Sequence, residues 1–156
     1  MRIDQRPERL VNPAQFTHYP QRTFRTALES LPKFTAGLLS GQPSLASATV
    51  LVEGVVFVPR HLHGLMARNR LSGRCTPGLT ITAIGAKECA SLLRACLGDW
   101  VDFYYLPEPS RFALFADHDE YTTVFSDETE ILVQISSEMA RSGFEEITDY
   151  VRPTRR

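Results

Sequence analysis

Six acidic side chains and one imidazole fall within fourteen residues of this chain, as Asp117, His118, Asp119 and Glu120, then Asp127, Glu128 and Glu130. Hard oxygen ligands beside an imidazole are what a divalent cation or a general acid/base pair would use. The spacing matches no calcium-binding loop, however, and a tight turn is expected to aim these side chains outward and apart. Turns favour Asp and lie on the surface, so the plainest account is a solvated turn. Next in order comes an acidic edge that docks on a basic protein, with Tyr121 as an aromatic anchor. A metal or catalytic site ranks last.

Arg60, His61, Leu62, His63 and Gly64 form a second cluster. Histidines at i and i+2 project to the same side of an extended chain and could then share a metal. Spacing identifies no third ligand, so the expectation is a solvated loop with no metal. The competing enzymatic reading needs His118, or His61 and His63, to meet Asp117 or Asp119 in the fold. The three cysteines, Cys75, Cys89 and Cys96, form no CxxC pair. Cys89 and Cys96 fit the apolar face of a helix, as reduced side chains of a cytoplasmic protein. Cys75 lies in a basic loop and is the one thiol considered for nucleophilic chemistry. No phosphate-binding glycine loop, GxSxG elbow or HExxH helix is present, and no cofactor is expected.

Net charge is −1, yet residues 1–78 carry +6 and residues 79–156 carry −7. Nucleic acid is not expected, because stacking on bases needs aromatics among the arginines and here the aromatics sit in the acidic half. Without a long apolar run or a hydrophobic leader, neither membrane insertion nor export is expected.

The elements that must position these residues follow from periodicity. Residues 100–106 alternate as a strand rich in aromatics. Residues 111–116 and 121–125 read as a hairpin around the loop 117–120. Ile131, Leu132, Ile135 and Met139 then mark an amphipathic helix, with a capping box from Asp127 and Glu130 and a glycine stop at Gly143 that lets Phe144 pack back on Met139. Upstream, residues 21–31 suggest a short helix that Pro32 interrupts, with another turn or two over 34–39. The most apolar stretch, residues 49–58, reads as one central strand bulged at Gly54. Residues 59–78 read as a long connection that could hold a helical turn, 79–85 as a strand, 87–97 as a helix ended by Gly98, and 144–151 as a short edge strand.

The resulting expectation is an α+β fold, a mixed, mainly antiparallel sheet of about five or six strands with two or three helices packed on it. Residues 1–20 are read as an extended arm, 21–151 as one domain and 152–156 as a basic tail. The functional expectation is a small cytoplasmic protein-binding module, immunity- or inhibitor-like, that uses Asp117, His118, Asp119, Glu120, Tyr121, Asp127, Glu128 and Glu130. A self-associating accessory domain pairing through a strand edge is the remaining alternative.

Overall fold

The computed structural model describes residues 1–3, 13–41, 45–109 and 111–150. Seven strands form one sheet in the order β1-β4-β3-β5-β6-β7-β2, and every adjacent pair is antiparallel. They are β1 (Arg2–Ile3), β2 (Gln21–Arg25), β3 (Ser47–Val55), β4 (Thr80–Ile84), β5 (Val101–Glu108), β6 (Ala113–Ala116) and β7 (Tyr121–Phe125). Four helices, α1 (Leu31–Leu39), α2 (Arg60–Arg68), α3 (Ala86–Gly98) and α4 (Thr129–Arg141), complete the α+β fold. Strands and helices are both more numerous than the sequence suggested.

Period-2 alternation divides the sheet into two faces. Val50, Val52, Phe103, Tyr105, Leu114 and Val124 point into the main core, where Leu62 of α2, Leu92 and Leu93 of α3 and Leu132 and Ile135 of α4 cover them. On the opposite face Tyr104, Phe115 and Phe125 gather around Phe16, which a 3-10 turn (Pro13–His18) places against them. Two parts of the expected N-terminal arm therefore belong to the sheet and its cover; residues 4–12 lie outside the described residues, as do the expected tail and Val151.

Several local expectations are corrected. Residues 21–25 are the strand β2 and not a helix, because β7 offers them a ladder of five residue pairs and the threonine pair Thr23–Thr123 fastens it at 2.9 Å. Pro32 opens α1 rather than breaking a helix, since the first turn needs no N–H from it. Gly98 remains inside α3, and Trp100 takes the left-handed position beyond it at φ 53°. Residues 60–68, expected as connection, form α2. The predicted bulge in β3 occurs between Val52 and Gly54. Residues 144–150 run beside β2 with a single bridge, Phe24 to Glu146, and the Ile147 N–H donates to the Thr23 carbonyl at 2.7 Å.

The end of α4 follows the sequence reading. Gly143 has φ 85°, its N–H donates to the Ala140 carbonyl and the Phe144 N–H to that of Met139. This double bond satisfies carbonyls that the helix end would leave unpaired. The Phe144 ring then packs edge-on to Phe34 at 5.2 Å. At the other end the capping box does not form: Glu128 is the N-cap and Asp127 pairs with Arg111. The Ser126 hydroxyl accepts from the Glu128 N–H and donates to the Arg111 carbonyl, tying the helix start to the segment that leads into β6 instead.

The main core gives the first prediction. Phe103→Ala empties a site with no exposed surface and should cost about 3–5 kcal/mol in urea denaturation. Val133→Ala, at a site 53% exposed, should change stability by no more than about 0.5 kcal/mol.

Candidate functional site

The hairpin tip between β6 and β7 is held by its own polar side chains. Asp117 Oδ1 accepts from the N–H groups of Asp119, at 3.0 Å, and Tyr121, at 3.1 Å. This is the arrangement by which Asp closes a turn on its own backbone. Glu120 takes φ 66°, its carbonyl accepts from the Thr26 N–H at 2.7 Å, and its carboxyl meets Arg25 at 3.3 Å. Tyr121 stacks on Tyr150 with ring centroids 4.3 Å apart, and the Tyr150 hydroxyl donates to Asp117 Oδ2. Asp117, Glu120 and Tyr121 thus turn back onto the protein, contrary to the outward fan expected of a tight turn, while Asp119 stays exposed.

His118 is anchored most firmly. Its backbone N–H and its Nδ1 both reach Asp102 Oδ1, at 2.8 and 2.7 Å, and Asp102 is buried within β5. This hydrogen bond raises the His118 pKa above its ordinary 6.5; partial burial works against it, and the charges of Asp102, Asp119 and Asp117 add to it. On β5 Asp102 shares the face of Tyr104 and Leu106, away from the helices.

His61 repeats the pattern on the helix side. Pro59, the residue before α2, has no side chain that can cap it. The buried Asp99 does so from the α3–β5 turn, accepting the His61 N–H at 3.0 Å on Oδ1 and the Leu62 N–H at 2.7 Å on Oδ2. The same Oδ1 meets His61 Nδ1 at 2.6 Å. His63, two residues along a helix and not an extended chain, projects to the other side of α2 and is exposed. The fold therefore does not join His61 or His63 to Asp117 or Asp119. Among the described residues no three His, Cys, Asp or Glu side chains form a group that could hold a metal ion.

The remaining acidic residues divide by partner. Asp127 and Glu128 both meet Arg111, at 3.4 and 2.8 Å. Asp119 and Glu130 are exposed, with no arginine or lysine partner among the described residues. Beside the tip lies a groove of about 600 Å³, rimmed by Glu29, Glu120 and Glu145, with Arg25 also on its wall and Leu28, Phe144 and Ile147 as apolar lining. Glu29, Glu145 and Tyr150 carry no local signal in the sequence: the turn that follows β2 brings Glu29 to the hairpin, and the run of residues 144–150 beside β2 brings Glu145 and Tyr150. Asp102 did carry a signal, as the lone charge inside the aromatic strand WVDFYY. Cys75, Cys89 and Cys96 are buried and unbridged. Burial, and then the Asp99 charge, push the Cys75 thiol up to about 11, which removes it as a nucleophile.

The His118–Asp102 bond generates a pH prediction. A histidine pKa raised by folding contributes stability that is fully present below about 6.5 and is lost as pH rises through the folded value. In Asp102→Asn the His118 resonance, followed by NMR titration, should move back toward 6.5. The loss of stability between neutral and mildly alkaline pH should then be smaller than in the parent. An unchanged His118 titration would show that Asp102 does not set it.

Comparison with known proteins adds no relative: no family model, no curated protein and no solved structure matches the chain.

Proposed function

We propose that this chain is a small protein-binding module of the cytoplasm, immunity- or inhibitor-like, which docks its acidic hairpin side on a basic surface of a protein partner. The observation that carries this reading is the groove beside the hairpin tip, where Glu29, Glu120 and Glu145 share a largely polar lining with the apolar Leu28, Phe144 and Ile147. A lysine or arginine entering it would set its methylene stem against Phe144 and Ile147 and its charged head among the carboxyl groups. Asp119 and Glu130, exposed and without arginine or lysine partners among the described residues, extend the same sign of charge outward, with His118 Nε2 3.9 Å from Asp119. Charge placed in this way raises the association rate and selects the partner, while the stacked Tyr121 and Tyr150 offer rigid aromatic area for affinity.

Asp127 and Glu128 have a smaller part here than in the sequence reading, because Arg111 already offsets them. Asp117 and His118 act as internal supports that shape the tip. Three buried, unbridged thiols suit a reducing compartment, and no described helix is long and apolar enough to cross a membrane.

Charge reversal away from these supports tests the proposal. Immobilised protein should retain a basic partner from native lysate at low salt and release it at high salt. Glu29→Lys combined with Glu145→Lys should weaken that retention at least about tenfold, one to two charge-pair contacts' worth. Retention that is indifferent to both salt and the double variant would sink the proposal.

A further inference from the structure

A second groove, of about 480 Å³, opens between α2 and α3 at the start of α1. Its volume lies in the range of small-molecule sites, roughly 300–1,000 Å³. The apolar part is Leu31, Leu65 and Ala95, and two glycines, Gly64 and Gly98, keep it open. A Cβ on Gly98 would stand 3.4 Å from Leu31 Cδ1 and 3.5 Å from His61 Nδ1, in ordinary van der Waals contact, so the groove wall at Gly98 is formed by these two side chains.

Arg60, Arg68 and Arg94 line this groove, and no Asp or Glu does. Elsewhere Arg22, Arg25, Arg111 and Arg141 each have an acidic partner, while Arg2, Arg70 and Arg74 have none among the described residues and do not line this groove. The three groove arginines have none among the described residues. Two of them are positioned by their own helices. The Arg68 guanidinium folds back over Gly64, with Nη1 3.5 Å from where a Cβ would lie, and Arg94 donates to the Ser91 hydroxyl at 3.4 Å. His61 adds a ring whose Nδ1 is fixed by Asp99, which leaves its Nε2 edge to face outward. The buried Asp99 carboxyl lies beneath His61 with both oxygens engaged by α2 and His61, so it offers no direct contact to a ligand in the groove.

We infer that this groove binds a small organic phosphate, a dianionic head held by the arginines with a compact apolar body lying on Leu31, Leu65 and Ala95. Three guanidinium groups outnumber what one carboxylate can satisfy, and the planar fork of each matches two phosphate oxygens at once. Holding like charges together without a carboxylate paired to any of them costs free energy that an arriving dianion recovers.

The test uses the full chain and three probes, phenyl phosphate, inorganic phosphate and benzoate, followed by amide NMR shifts. Phenyl phosphate should shift the Gly64 and Gly98 amides saturably, and bind at least about tenfold tighter than benzoate, one charge-assisted contact's difference. Arg68→Gln with Arg94→Gln, both at solvent-accessible sites, should weaken phenyl phosphate by about tenfold or more while leaving the core amide spectrum in place. Inorganic phosphate should bind more weakly than phenyl phosphate, reading out the apolar contact. Shifts that never saturate, equal affinity for benzoate, or undiminished binding to the double variant would overturn the assignment. So would saturation of the groove by an acidic peptide, such as hexaglutamate, when phenyl phosphate leaves it unfilled.

Discussion

Two carboxyl groups three residues apart, Asp99 and Asp102, are buried where α3 turns into β5, and a buried carboxyl group is tolerated only when donors surround it. Each finds them in the same way, by accepting a backbone N–H and a ring nitrogen from one histidine. The histidines come from segments far apart in sequence. Asp99 fixes the start of α2 within the helix layer, and Asp102 fixes the β6–β7 tip on the opposite face. A single turn thereby sets the geometry of both grooves, since His61 lines the arginine groove and the hairpin tip borders the acidic one.

The turn itself bears the strain of that arrangement. Trp100 occupies a left-handed conformation at φ 53°, where glycine is the usual residue and a bulky side chain costs on the order of 1 kcal/mol. Its ring is held edge-on to Phe57 at 5.2 Å. Reversing the chain there within so few residues is what lets α3 end beneath α2 while β5 leaves along the sheet centre, between β3 and β6. The strain and the paired carboxyl groups sit together, as expected where the surrounding structure dictates the backbone.

What the sequence disclosed and what it concealed separate along a physical line. Features written in local periodicity were legible: the central bulged strand, the hairpin, the glycine end of α4 with its packed Phe144, and the α+β arrangement that joins them. Residues 21–25 were not, because Phe24, Leu28 and Leu31 satisfy a helical spacing, and only the distant β7 supplies the ladder that makes them a strand. The α2 helix was hidden for a related reason. Its cap is Asp99, thirty-eight residues from His61 in sequence, so no local signal marks its start. The acidic loop was read correctly as a turn, but its internal bonds to Asp102 and Tyr150 required contacts that spacing cannot express.

The distribution of ion pairs carries the argument further than their energies do. Exposed pairs such as Arg111 with Glu128 or Arg25 with Glu120 are worth about 0–1 kcal/mol each, too little to account for the fold. Their effect is to cancel charge locally, at the start of α4 and beside β2, and so to define where charge is left over. What remains is of one sign around Glu29, Asp119 and Glu145 and of the other around Arg60, Arg68 and Arg94. Like charges held side by side repel, and selection for stability alone would have interleaved them. Left over on two separate grooves, these charges find no carboxylate or guanidinium partner among the described residues, and it is on this remainder of unmatched charge that the proposed docking and phosphate sites rest.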